Sequence, residues 1–157
     1  MILSIDPGNK ESAYCLIEKK TYKPIEFGKL DNNRLIDKIN SLENSLENID
    51  RLVIEMVANY GMPVGKEVFD TCVWIGRFVE EFINYVNPQY TYIYRKDVKM
   101  NLCNSMRAKD SNIRQALIDR FGEVGTKRKK GWFYGFKADI WSAYAVGITY
   151  LDNEVLK

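Results

Sequence analysis

Three acidic residues, Asp6, Glu55 and Asp139, stand in surroundings that suit carboxylate-based phosphoryl chemistry. Asp6 follows the apolar run Ile2-Leu3-Ser4-Ile5 and precedes Pro7-Gly8-Asn9, while Glu55 follows Leu52-Val53-Ile54. In each case a buried strand is expected to deliver a carboxylate to its end, where burial is costly without a cation or hydrogen-bond donors. Asp139 falls in the first turn of a helix expected over 138–151. Each acid also has a plainer reading: Asp-Pro-Gly is common turn punctuation, and an acid in a first helical turn complements the helix dipole. If the strands of Asp6 and Glu55 are parallel neighbours, both carboxylates emerge at one edge, and a helix crossing that edge adds Asp139. Gathered carboxylates repel unless a cation neutralises them. The fitting occupant is a hard, oxygen-seeking ion, Mg²⁺ with Mn²⁺ as its substitute. Two such ions about 3.5 to 4 Å apart can activate water and stabilise the leaving oxygen in phosphodiester cleavage.

The chain contains no histidine, which removes Ser-His and Cys-His nucleophile pairs, His-ligated zinc and imidazole general bases. Cys15, Cys72 and Cys103 are odd in number and show no Cys-x-x-Cys spacing, so neither a disulfide frame nor a zinc ribbon is supported. Hydrolytic chemistry is left to carboxylates, lysine or an oxygen-bound metal.

The elements that must position these acids can be read from periodicity. Strands are expected at 2–6, 12–17, 24–30, 51–56 and 90–94. Asp31-Asn32-Asn33 can cap an amphipathic helix whose buried line is Leu35, Ile39, Leu42, Leu46 and Ile49. A long helix is expected over 64–86, with one stripe at Val68, Cys72, Ile75, Val79, Phe82 and Val86 and a second at Phe69, Val73, Gly76 and Ile83. The second stripe packs either another element or another copy of the chain. A short basic helix is expected over 95–103, and another, capped by Asp110 or Ser111, ends at Gly122. The 157 residues, 46% hydrophobic, suit one globular domain over 1–157. No apolar run is long enough to cross a bilayer, and the N-terminus reaches Asp6 too soon for a signal peptide, so a cytoplasmic setting without membrane contact is expected.

A net charge of +2 conceals an uneven distribution. Residues 1–88 carry 10 basic and 14 acidic side chains, whereas residues 89–137 carry 12 basic and 4 acidic. Such a block suggests a face for a polyanion. Within it, residues 126–137 interleave five basic with four aromatic side chains. The bland alternative is a solvated charge run beside core aromatics. The interleaving favours nucleic acid, with Lys127, Arg128, Lys129, Lys130 and Lys137 on phosphates and Trp132, Phe133, Tyr134 or Phe136 against bases.

The ordered set of Ile5-Asp6-Pro7-Gly8, Val53-Ile54-Glu55 and residues 138–145 (Ala-Asp-Ile-Trp-Ser-Ala-Tyr-Ala) resembles the RuvC-type Holliday-junction resolvases. The similarity is greatest to the short bacteriophage versions and spans essentially the whole chain, including 107–114. It implies an α/β, ribonuclease H-like fold with a five-stranded mixed sheet and helices on both faces. It also implies a homodimer and Mg²⁺-dependent paired nicking of four-way DNA junctions in a bacterial cytoplasm. Asp6, Glu55 and Asp139 match the family's first three acids. Where the family has a fourth acid, three residues after the third, this chain has Ser142, which is expected in the metal site on the same helical face as Asp139, holding a metal-bound water but adding no charge; Asp110 is a distant candidate substitute. Lys99, Arg107, Lys109 and Arg114 join the basic segment as expected DNA-backbone contacts. Nucleases for forks or flaps, and a junction-binding protein with weakened catalysis, are the alternatives. An actin-like phosphate-binding turn is disfavoured because such proteins need a second lobe to enclose a nucleotide.

Overall fold

The computed structural model describes residues 1–44 and 48–155. Five strands, β1 (Ile2–Asp6), β2 (Glu11–Ile17), β3 (Pro24–Asp31), β4 (Arg51–Met56) and β5 (Tyr90–Tyr94), form one sheet in the order β3-β2-β1-β4-β5. The β1–β2 and β2–β3 pairs are antiparallel, while β1–β4 and β4–β5 are parallel. The helices are α1 (Asn32–Ser41), α2 (Lys66–Tyr85), α3 (Arg95–Cys103), α4 (Asp110–Phe121) and α5 (Ile140–Val155). No helix among the described residues is long and apolar enough to cross a membrane.

Alternation along the strands divides the core in two. Leu3, Ile5, Leu52 and Ile54 meet Leu35, Ile39, Phe78 and Phe82 of α1 and α2 on one face. Ile2 and Val53 point to the other face, where α5 lies. The same period of two carries Asp6 and Glu55 to the α5 face. That helix is apolar nearly all round because nearly all of it is covered, Ile140 to Leu151 being buried apart from the partly exposed Ser142. Its close approach is made possible by Gly147, where an added Cβ would lie 2.4 Å from Ile17 Cδ1 and 3.0 Å from Ser4 Cβ.

Three element boundaries differ from expectation. The first helix ends at Ser41 in a 3₁₀ turn, Leu42–Asn44, and Ile49 is buried outside any helix; Leu46 lies outside the described residues. Asp31 does cap α1, accepting the Asn33 N–H. The residue before α4 is Lys109, making Asp110 its first helical residue. Asp139 sits just ahead of α5, its carbonyl accepting the Ala143 N–H, and Ala138 before it adopts a left-handed φ of 41°. A non-glycine residue in that region stores strain, which marks this helix entrance as a constrained position.

The aromatic segment departs further. Phe133 is fully buried and Phe136 nearly so, both packed against Trp141 and Tyr144. Trp132 stacks on Phe121 at 5.4 Å between centroids and donates its indole N–H to the Tyr144 hydroxyl. Phe133 and Phe136 are therefore core residues, and the Trp132 ring is already engaged. An all-apolar α5 needs partners of this size on its outer side, and these rings supply them.

Candidate active site

The site is built on one row of residues across the sheet. Lys29 pairs with Ala13, Ala13 with Asp6, and Glu55 with Ile93. The β1–β4 register pairs Ile5 with Ile54, so Asp6 and Glu55 follow as neighbours one residue further along two parallel strands. Strand spacing alone brings their backbones to about 4.8 Å. Ala13 between Lys29 and Asp6 has only a methyl side chain, which keeps the row open there.

The turn after Asp6 is pinned from beneath. Gly8 donates its N–H to Ser12 Oγ at 3.0 Å, Ser12 Oγ donates to Asn32 Oδ1 at 2.7 Å, and Asn32 Nδ2 donates back to the Gly8 carbonyl at 2.9 Å. Ser12 and Asn32 are buried, so this closed network is worth more than its surface equivalent. A Cβ at Gly8 would stand 2.3 Å from the Glu11 carbonyl oxygen. The network fixes where β1 ends, and with it the Asp6 carboxylate.

Electrostatics confirm that the acids feel one another. Burial, then the charges of Glu55 and Asp139, push the Asp6 carboxyl up to about 8, with Arg95 opposing and Asp110 adding to the rise. Burial also raises Glu55, with Arg95 and Lys99 opposing and Asp110 adding. Glu55 Oε2 is buried without a hydrogen-bond partner, 3.6 Å from Arg95 Nη1. Asp139 is turned to Lys29, with Oδ2 2.7 Å from Nζ. Among the described residues, no three acidic or cysteine side chains are gathered closely enough to ligate one ion.

The donor set nevertheless fits a hard divalent cation. It is made only of oxygen, it contains one orphaned buried carboxylate oxygen, and the charges of Glu55 and Asp139 raise the proton affinity of Asp6. Asp6 and Glu55 would hold the ion, with Asp139 beside them at the mouth. Ser142 is partly exposed, three residues after Asp139 on α5, and opens on a groove of ≈ 640 Å³. Arg95, Asp110, Arg114, Lys137 and Asp139 line the same groove.

Two of the expected cationic residues line this opening. Arg114 and Lys137 reach the groove, Arg114 holding its guanidinium 4.8 Å from the Trp141 ring centre. Lys99 is close enough for its charge to act on Glu55. Arg107 and Lys109 are exposed in and beside the α3–α4 connection, and Lys127, Arg128, Lys129 and Lys130 are exposed on a tight turn closed by a Gly125–Lys130 bridge. Tyr134 keeps some exposure, with Lys130 over its ring at 5.1 Å.

Two further residues, not expected from the sequence, belong to the site. Lys29 enters through the β2–β3 register, and Arg95 through its position at the start of α3, directly after β5. Neither carries a local signal stronger than a lysine on an alternating strand or one basic residue among several.

No protein-family model and no curated protein matches the chain. Among solved structures, it is similar to Thermus thermophilus RuvC in complex with a Holliday-junction substrate, with a TM-score of 0.72 and 10% identity. That alignment covers 98% of this chain and 94% of the other. Thermus thermophilus RuvC in a second structure aligns at 0.67 and 11% identity, covering 98% and 95%. At such identity the likeness establishes the fold, which is ribonuclease H-like: the expected five-stranded mixed sheet with helices on both faces.

Proposed function

We propose that the chain is a divalent-metal-dependent endonuclease that resolves four-way DNA junctions by paired phosphodiester hydrolysis. The observation that carries this reading is the pair of half-buried neighbouring carboxylates, Asp6 and Glu55, next to Arg95, which lines a groove together with Arg114, Lys137 and Asp139. The fold is shared with a protein solved with a Holliday-junction substrate, which supports the same substrate class here.

Mg²⁺, when bound, supplies positive charge to the phosphate and lowers the cost of generating the attacking oxygen. In the cleavage, an oxygen–phosphorus bond forms to water and one phosphorus–oxygen ester bond breaks, the sugar oxygen taking up a proton. Asp6 and Glu55 would hold the cation at the ends of β1 and β4, with Asp139, which is paired with Lys29 in this structure, as a further oxygen donor. Arg114, Lys137, Lys99, Arg107, Lys109 and the 127–130 turn bind backbone phosphates, giving affinity and register without reading sequence.

A junction has two strands to cut, so two active sites are needed. The outer face of α2 supplies a surface for a second copy of this chain: Phe69 is 60% exposed, Val73 is 63% exposed, and Gly76 has open space above it. Isologous pairing about a two-fold axis follows from self-association through one face.

The test is a labelled synthetic four-way junction incubated with the protein and Mg²⁺, beside forks and flaps. Paired nicks in the junction support the proposal, while preference for forks or flaps assigns another branched substrate. Folded protein that leaves every substrate intact in Mg²⁺ and Mn²⁺ overturns the nuclease reading. The uncharged Ser142 favours one second reading, a junction-binding protein with weakened catalysis, which predicts tight binding in EDTA without nicking.

A further inference from the structure

Beside Glu55 the structure has a cation of its own. The Arg95 side chain is mostly buried, places Nη1 3.6 Å from Glu55 Oε2, and forms an ion pair and hydrogen bond through Nη2 with Asp110 at the start of α4. Among the described residues this is the only side-chain hydrogen bond that Arg95 donates. A guanidinium has five N–H donors in a flat fork, so most of this one is free, and it lines the groove. A mostly buried guanidinium with open donors at the edge of a carboxylate cluster is suited to a phosphate oxygen.

We propose that Arg95 is a catalytic cation of this site, contacting the scissile phosphate where a second metal ion would otherwise stand, and that Asp110 is its positioning residue. This inference rests on the nuclease reading above. Ser142, on the same groove, brings no carboxylate to hold a second ion. Arg95 stands 3.6 Å from Glu55 Oε2, so a positive charge is already present at the carboxylates without a second ion. Asp110 is a helix-entrance residue with an exposed side chain, so the pair adds little to stability, and its geometry serves to aim the guanidinium.

The experiment has two arms. In the first, Mn²⁺ is titrated into the protein without DNA and followed by electron paramagnetic resonance. One ion per chain is expected for the wild type and two for the Ser142→Asp/Arg95→Gln double variant. Two ions per wild-type chain, or none, overturn the proposal. In the second arm, single-turnover junction cleavage and junction binding in Ca²⁺ are measured for Arg95→Ala, Arg95→Lys and Asp110→Asn. Loss of one preorganised charge-stabilising group lowers such rates about 10²- to 10³-fold. Arg95→Ala is expected to lose that much with binding unchanged, Arg95→Lys to recover part of it, and Asp110→Asn to fall between. Arg95→Ala cleaving at the wild-type rate overturns this assignment alone. Wild-type protein that cuts no branched DNA overturns the nuclease reading and this assignment with it.

Discussion

Lys29 and Asp139 meet across the open end of the sheet, Nζ 2.7 Å from Oδ2, although 109 residues lie between them in the chain. The hydrogen bond to Asp139 raises the lysine's proton affinity, so Lys29 stays charged throughout the neutral range. The lysine competes with any divalent ion for Asp139. Lys29→Met is therefore expected to tighten Mn²⁺ binding by about two- to five-fold, the range that a half-exposed ion pair allows. Titration calorimetry measures it, and unchanged or weaker binding removes the competition.

The metal-free protein has a pH dependence whose sign follows from Asp6. Its folded value of about 8 lies above the ordinary 3.8, so between these values the folded chain holds a proton that the unfolded chain has lost. Stability falls as pH rises through that window, and Glu55, also raised, adds to the slope. In EDTA, Asp6→Asn is expected to flatten the decline and to exceed the wild type at about pH 8 by roughly 1.4 kcal/mol or more, the equivalent of one pKa unit. Melting temperatures across the range test this; equal slopes for the two proteins contradict it. Asp6→Asn should also abolish cleavage while keeping junction binding.

The α2 face gives a prediction about assembly. Placing a charge at the centre of an apolar contact opposes its burial, so Phe69→Glu is expected to convert a dimer to an 18.3 kDa monomer in light scattering. Paired cutting of a junction should then separate into independent nicks. A wild-type monomer at all micromolar concentrations refutes the dimer.

The basic turn and the aromatic cluster behind it should respond differently to mutation. Phe133→Ala empties a fully buried position and is expected to cost about 3 to 5 kcal/mol in denaturant unfolding. Replacing residues 127–130 by alanine leaves the core untouched. It should preserve melting while flattening the salt dependence of junction binding by up to about 0.9 for each phosphate that the turn no longer neutralises. A variant that binds with unaltered salt dependence takes the turn out of the DNA interface.

Much of the fold was legible because β1 and β4 are apolar runs closed by acids, and a period of 3.6 marks α1 and α2. Asp6 and Glu55 could be found for the same reason. Lys29 and Arg95 could not, since each reaches the cluster only through pairing with distant strands or helices. The segment 126–137 misleads because its composition is ambiguous: a phenylalanine beside lysines looks the same whether it faces a base or a core. What distinguishes Phe133 is the demand for cover from Trp141 and Tyr144, a demand visible only once α5 is placed. The end of α1 escaped because Ile49 continues the apolar spacing after the helix has stopped.

The register of β1 on β4 has a further consequence for the chain's tolerance of error. A slip of one residue would turn Glu55 to the α1–α2 side and expose Val53 to the wrong core, so the chemistry and the packing fail together. The register that buries the apolar faces of β1 and β4 is thus the same one that gathers the two acids, so packing selects the arrangement of the candidate site.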